Sequence, residues 1–136
     1  MANTLKLEIV TPDAVTYSDS VEMVTLPGVE GEMGVYPQHV PLMTQIAPGE
    51  IVVRKGGQEQ LLAVGEGFVE ITGESVSILT DMAIAADNID EAKVEEARKR
   101  AEARLAEKVT AGEEAAVRAS LANAVAQLNV KRRQRR

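Results

Sequence analysis

The hydrophobic period of this chain changes near Asp87, and this change constrains the fold more than any other feature. Before it, apolar residues alternate with polar ones in short runs, such as Leu5, Leu7 and Ile9. After it, apolar residues recur about every four positions. Strand side chains alternate between two faces, whereas helical side chains return to one face about every 3.6 residues. The sequence therefore predicts β-structure followed by helices.

Short strand-like runs separated by turn residues fill the first 84 or so positions. The dipeptide Gly56-Gly57 joins residues 50–54 to residues 60–64, and a second hairpin is predicted over residues 68–79. Glycine pairs between two such runs are typical of β-hairpins. We therefore expect an N-terminal antiparallel β-sandwich or flattened barrel.

The C-terminal region predicts a helical hairpin. Asn88 and Glu91 have the spacing of a capping box, and Thr110 and Glu113 repeat it after a break. Between and after these boxes the chain is rich in Ala, Glu, Lys and Arg, which favour helices. We therefore divide the chain into a β-sandwich domain, residues 1–86, and an α-helical hairpin with a basic tail, residues 87–136.

The predicted hairpin is poor in large apolar residues. Its apolar stripes consist mostly of alanine, with nine larger aliphatic side chains and no aromatic ring. Most helical stability in proteins comes from packing of an apolar face. We expect the hairpin to be stable only when it docks on the sandwich or on a partner, and we hypothesise more than one docked state.

Composition excludes several classes of active site. The chain has no cysteine and a single histidine, His39, which lies between Pro37 and Pro41. General acid–base catalysis needs a second group within hydrogen-bonding reach, and a metal site needs several ligands at suitable spacing. Because neither pattern is present, we predict a structural or contact role for His39 and no catalytic or metal site.

The glycine-rich stretch around His39 predicts a surface rather than a ligand site. Residues 31–34 (Gly-Glu-Met-Gly) lack the Lys-Ser or Lys-Thr of a phosphate loop, as does Gly65-Glu66-Gly67. We interpret both as tight turns or bulges. Residues 31–42 combine glycines, prolines, an acid and apolar side chains, which favours a stiff contact loop.

Charge is distributed unevenly along the chain. Residues 1–87 carry 3 basic and 13 acidic groups, whereas residues 88–136 carry 12 and 8. The basic tail, residues 131–136, fits three roles: nucleic-acid binding, docking to an acidic protein, or a solvated terminus. The acidic N-terminal region and the scarcity of aromatic residues argue against nucleic acid.

The first residues lack the basic and apolar segments of a signal peptide, and no stretch approaches the length of a membrane span. We therefore expect a soluble protein without a removable signal.

Several segments taken together resemble the epsilon subunit of bacterial and plastid F-type ATP synthases. They are VTPD (10–13), VEMVTLPGVEGEMGVYPQHVPLMTQI (21–46), GEGFVE (65–70), VSIL (76–79) and the helical hairpin that begins at NIDEA (88–92). The resemblance spans essentially the whole chain. Rival interpretations are a free-standing β-sandwich adaptor and a small jelly-roll enzyme.

The resemblance implies a non-catalytic part of the rotating central stalk. The sandwich would bind the gamma subunit and rest on the ring of c subunits, so that ring rotation reaches the alpha/beta catalytic head. Glu32 matches the family's acidic ring contact, with Met33 and His39 as neighbours. The location implied is peripheral, on the cytoplasmic side of a bacterial inner membrane rather than a plastid thylakoid, with membrane contact only through the complex.

The resemblance also implies a regulatory hairpin. In the family it folds against the sandwich or extends along gamma into the head, where it blocks ATP hydrolysis. The basic residues that would meet acidic segments of the beta subunits are Arg118, Lys131, Arg132, Arg133, Arg135 and Arg136.

Some family members bind ATP where the hairpin begins. In this chain Asp90 and Arg100 match that pattern, but Lys93 replaces an arginine and Ile84 replaces an acid. A lysine ammonium cannot reproduce the bidentate contact of a guanidinium. We therefore predict no firmly bound cofactor, and ATP as a weak regulatory ligand at best.

Overall fold

The computed structural model describes residues 4–107 and 109–135 and confirms a β-sandwich followed by two helices. The strands are β1 (Leu5–Val10), β2 (Val15–Val21), β3 (Met23–Gly28), β4 (Gly31–Val35), β5 (Leu42–Ile46), β6 (Gly49–Lys55), β7 (Gln58–Val64), β8 (Gly67–Ile71), β9 (Ser75–Thr80) and β10 (Ala83–Ala85). A 3₁₀ turn (Ala86–Asn88) leads to helices α1 (Glu91–Leu105) and α2 (Ala111–Gln134).

The ten strands form one sheet that folds over on itself. Their order is β10-β7-β6-β3-β5-β8-β9-β1-β2, with β4 paired to β3 beside this path. Neighbouring strands are antiparallel, as predicted, except that β1 runs parallel to β9. This pairing joins strands far apart in sequence, so no local pattern could have indicated it.

The core is aliphatic and lies between the two halves of the folded sheet. Leu5, Leu7 and Ile9 are at most 1% exposed, which confirms the alternation that predicted β1. The other buried members of this core are Val21, Val24, Leu26, Val35, Ile46, Ile51, Val53, Leu62, Val64, Val69, Ile71, Val76 and Ile78. Every member lies within residues 5–78.

Both predicted hairpins are present. Gly56 and Gly57 have φ of 60° and 77°, which glycine adopts without strain, and they connect β6 to β7. In the second hairpin the Thr72 amide donates to the Ser75 carbonyl at 2.9 Å as the chain passes from β8 to β9.

The interpretation of residues 31–34 as a tight turn or bulge is wrong. These residues form most of β4, and the turn lies one step earlier, between the paired Gly28 and Gly31. Met33 and Val35 pack on the core from this strand. The two glycines hid the alternation, because they contribute no side chain to either face.

The first helix cap is also not the predicted one. Asn88 ends the 3₁₀ turn, and Asp90 caps α1 by accepting the Lys93 amide at 3.2 Å. The shift arises because Ile89 is drawn into a buried cluster with its backbone extended. The second predicted cap is confirmed, with Thr110 accepting the Glu113 amide at 3.2 Å.

Helix α2 docks the hairpin on the outer face of β6 and β7. A small second cluster, made of Ala63, Ala86, Ile89 and Val130, joins the two parts. Helix α2 buries only four side chains and α1 buries none among its described residues. The docked interface is therefore slight.

Candidate interaction surfaces

An apolar row crosses the outer face of the half-sheet β8-β9-β1-β2. Phe68 pairs with Leu79, Leu79 with Val10, and Val10 with Val15. Residues directly opposite each other on neighbouring strands share a face of the sheet. Phe68, Leu79 and Val15 are 51%, 58% and 57% exposed. We call these four side chains the apolar row.

The apolar row opens into a groove at one end of the sandwich. The groove has a volume of about 780 Å³, and Pro12, Val29 and Pro48 line it, with Glu66 and Asp81 also present. Large contiguous apolar patches on soluble proteins usually mark sites of interaction. The row and groove therefore suit a protein partner with an apolar surface.

Sequence reasoning missed the apolar row. Its local signal is a pair of adjacent apolar residues in three strands, Ile9-Val10, Phe68-Val69 and Ile78-Leu79, where one member of each pair must face outward. Which outward members line up depends on the register of four strands.

The structure does not bring the three predicted contact residues together. Glu32 is exposed near the start of β4, whereas Met33 points the other way and is partly buried against the core. His39 lies beyond the opposite end of β4. There the backbone N–H of its neighbour Gln38 donates to the Gly73 carbonyl at 2.7 Å. Glu32 and His39 thus occupy separate places on the sandwich.

His39 has a local structural bond. Its Nδ1 donates to the Val40 carbonyl at 2.6 Å, in a segment where Gln38 has a positive φ of 68°. This bond supports the backbone bend and leaves the imidazole without a carboxylate partner among the described hydrogen bonds. Of the two roles considered for this side chain, structural and contact, the arrangement favours the structural one.

Most of the predicted inhibitory residues bond to other parts of this chain. Arg132 lies 3.4 Å from Glu91 and 3.2 Å from Glu95, and Arg135 lies 2.7 Å from Glu91. Hydrogen bonds from Arg98, together with the nearby charge of Arg132, lower the pKa of Glu95. These ion pairs join the end of α2 to the start of α1.

The remaining basic candidates differ in what they contact. Lys131 donates from Nζ to the Ala86 carbonyl at 3.0 Å, and Arg133 pairs with Glu50 on β6. Arg118 is exposed and pairs with Glu114 of its own helix at 2.8 Å. Arg136 lies outside the described residues.

The three predicted ATP contacts are spread along the surface of α1. Asp90 is occupied as the helix cap, and the Lys93 side chain is exposed. Arg100 is two turns beyond Lys93, about 10 Å along the axis, and lies 3.7 Å from Glu96. Glu96 stands between the two cations and opposes the approach of phosphate.

We expect ATP to bind this chain with a dissociation constant weaker than about 10 μM, which corresponds to about −7 kcal/mol. The reason is that Lys93 offers a point charge where a bidentate contact is needed. Calorimetric titration of the full chain with ATP measures this directly. Lys93→Arg should tighten binding and Lys93→Ala should weaken it; a wild-type constant below 10 μM would contradict the prediction.

Two other classes of site find no support in the described residues. Residues 4–107 and 109–135 contain no group of three or more His, Cys, Asp or Glu side chains placed to hold a metal ion. Within the same residues, neither helix combines the length and apolar character needed to cross a bilayer.

Two family models match the chain in succession. The ATP synthase, Delta/Epsilon chain, beta-sandwich domain matches residues 4–86, and the ATP synthase, Delta/Epsilon chain, long alpha-helix domain matches residues 87–132.

Curated relatives are similar over nearly their whole length. The ATP synthase epsilon chain of Laribacter hongkongensis is 42% identical over 128 residues, which cover 93% of this chain and 91% of that protein. The ATP synthase epsilon chain of Dehalococcoides mccartyi is 43% identical over 133 residues, or 97% and 95%.

Solved structures show the same architecture. A chain in the Euglena gracilis mitochondrial ATP synthase, solved by cryo-EM as OSCP/F1/c-ring in rotational state 1, aligns with a TM-score of 0.73 and 25% identity, covering 90% of this chain and 78% of that chain. A chain of the Tetrahymena thermophila mitochondrial ATP synthase central stalk/c-ring aligns with a TM-score of 0.56 at 13% identity, covering 93% and 96%, and shows the fold alone.

Proposed function

This chain belongs to the ATP synthase epsilon chain family, and from that premise we propose that it is a non-catalytic rotor subunit of an F-type ATP synthase. In this role it couples rotation of the c-ring, through the gamma subunit, to ATP synthesis in the alpha/beta head. The observation that carries the proposal is the apolar row beside its groove, because this apolar surface is exposed to solvent in the isolated chain.

The apolar row is the surface we assign to the gamma subunit. Burial of apolar area is the main favourable term in association, and exposed charges contribute little. Glu32, on a different strand and exposed, is assigned to the polar loops of the c-ring, with Met33 holding β4 against the core. His39 is assigned to positioning of the neighbouring loop.

A rotor part must transmit force without deforming. The sandwich suits this task because its sixteen buried aliphatic side chains come from nine strands of one continuous sheet. Close-packed interiors have low compressibility and transmit strain. We assign this role to residues 1–86.

We assign inhibition of ATP hydrolysis to the hairpin, residues 87–136. Its basic residues would engage acidic segments of the beta subunits, in accord with the excess of positive charge in this region. In the docked hairpin several of these residues pair with acids of the same chain, so engagement of the head requires those pairs to exchange partners. The subunit would lie at the cytoplasmic side of the membrane and meet it only through the complex.

Co-purification tests the proposal. A tagged chain expressed in its own cells should bring down gamma, the c-ring and the alpha and beta subunits. A control with the tag alone excludes adhesion to the resin. If the chain instead bound DNA with a steep salt dependence and no such complex were recovered, the adaptor interpretation would replace this one.

A further inference from the structure

Two carboxylates form an acidic notch under the C-terminal end of α2. They are Glu50, at the start of β6, and Glu32, on β4, and both line the groove between the sandwich and α2. The Glu50 side chain is only 17% exposed and pairs with Arg133 of α2. We use the term acidic notch for Glu32 and Glu50 together.

The surroundings of the Glu50 carboxyl group disfavour its ionised form. Burial raises the pKa of its carboxyl, Arg133 acts against this effect, and the charges of Glu32 and Glu59 raise it further. Burying an ionised carboxylate costs free energy unless a cation is paired with it. Removing that cation leaves an uncompensated charge, which is more destabilising than replacing both partners by apolar residues. Arg133 therefore stabilises the ionised form of Glu50 in the docked hairpin.

Arg133 is also the residue best placed to leave. Its side chain is 56% exposed and lies in the last turn of α2. The pairs made by Arg132 and Arg135 join α2 to α1, so they can persist when the hairpin moves as a unit. Among the ion pairs of the described residues, only Arg133–Glu50 links the hairpin to the sandwich.

We propose that Glu50 is a release residue, which makes docking of the hairpin conditional on Arg133 occupying the acidic notch. When an acidic surface of a partner takes Arg133, Glu50 is left unpaired under α2 and drives the helix off the sandwich. This inference rests on the proposed function, because it names the contact through which the catalytic head would free the hairpin. Because α2 buries little apolar area on the sandwich, one unpaired charge is enough to shift the hairpin from the docked to the undocked state.

Amide hydrogen exchange on the isolated full chain at neutral pH tests this inference, because exchange in residues 124–130 reports opening of the docked helix. Arg133→Gln should speed exchange there about tenfold, since it leaves a half-buried charge unpaired. Glu50→Gln should exchange no faster than wild type, and the double variant should return close to wild type. Arg104→Gln, whose partners Glu107 and Glu113 both belong to the hairpin and lie away from the groove, is the matched control and should change little.

These outcomes separate a release residue from a simple attractive contact. If Glu50→Gln opened the helix as much as Arg133→Gln, or if Arg133→Gln had no effect, the inference would be overturned. Exchange of the core strands should be unchanged in every variant, so that a variant that merely fails to fold is recognised. The double variant is the decisive measurement: if Glu50 is a release residue, it restores slow exchange in residues 124–130.

An acidic peptide that competes with Glu50 for Arg133 provides an independent test. A synthetic hexaglutamate peptide in excess should speed exchange in residues 124–130 of the wild type and leave Glu50→Gln unchanged. Equal acceleration in both proteins would overturn the inference. Because these experiments use the isolated chain, they can fail while co-purification with the complex succeeds, and the reverse also holds.

Discussion

Replacing Phe68 and Leu79 together by glutamate is expected to abolish co-purification of the chain with the gamma subunit. Both side chains are more than half exposed and face each other across β8 and β9 in the apolar row. Two carboxylates there would have to be desolvated against an apolar partner. We expect binding to weaken at least about 100-fold, or about 2.7 kcal/mol, as for central residues of other interfaces.

The fold should survive this double substitution, because neither side chain belongs to the buried core. The matched control places two glutamates at Gln58 and Gln60, which are exposed on β7 in the other half of the sheet. Both variants should unfold near the wild-type temperature, and only the Phe68/Leu79 variant should lose its partner. If both variants co-purified normally, the assignment of the apolar row to gamma would be wrong.

Truncation after Asp87 is expected to preserve assembly and to raise ATP hydrolysis by the complex. The core that holds the sandwich lies wholly within residues 5–78, so removal of the hairpin leaves it intact. The cost is exposure of a small apolar area around Ala63, which loses contact with Ile89 and Val130. An increase of about fivefold in ATPase activity would match the usual size of coupling between regulatory and active sites.

A second, shorter truncation locates the inhibitory contact. Ending the chain after Val130 removes the basic tail but keeps most of α2, including its buried residues. If both truncations raise hydrolysis equally, the tail carries the inhibition. If only truncation after Asp87 raises it, the body of the hairpin carries the inhibition. An unchanged rate in both would remove the inhibitory role and leave the structural one standing.

Local sequence patterns predicted much of the fold. The alternation of Leu5, Leu7 and Ile9 predicted a strand with one buried face, and Gly56-Gly57 predicted the hairpin between β6 and β7. These predictions succeeded because strand period and turn chemistry depend on neighbouring residues. The cap at Thr110 was predictable for the same reason.

The errors occurred where distant contacts override a local pattern. Asn88 has good capping spacing, yet the burial of Ile89 moves the start of α1 to Glu91. Glycines at 31 and 34 suggested a turn, yet Met33 and Val35 between and after them pack on the core as a strand. In the first case tertiary burial outweighed a capping preference worth about 1 kcal/mol. In the second it outweighed the preference of glycine for turns.

The sequence by itself determined the division into strands and helices, the aliphatic character of the core and the scarcity of large apolar residues in the hairpin, since these follow from period and composition. Only the tertiary structure decided that Phe68, Leu79, Val10 and Val15 form one row, and that Glu50 faces Arg133. The row depends on the register of four strands, since a shift of one residue along a strand turns its side chains to the other face, and the Glu50–Arg133 pair depends on how α2 docks on the sandwich.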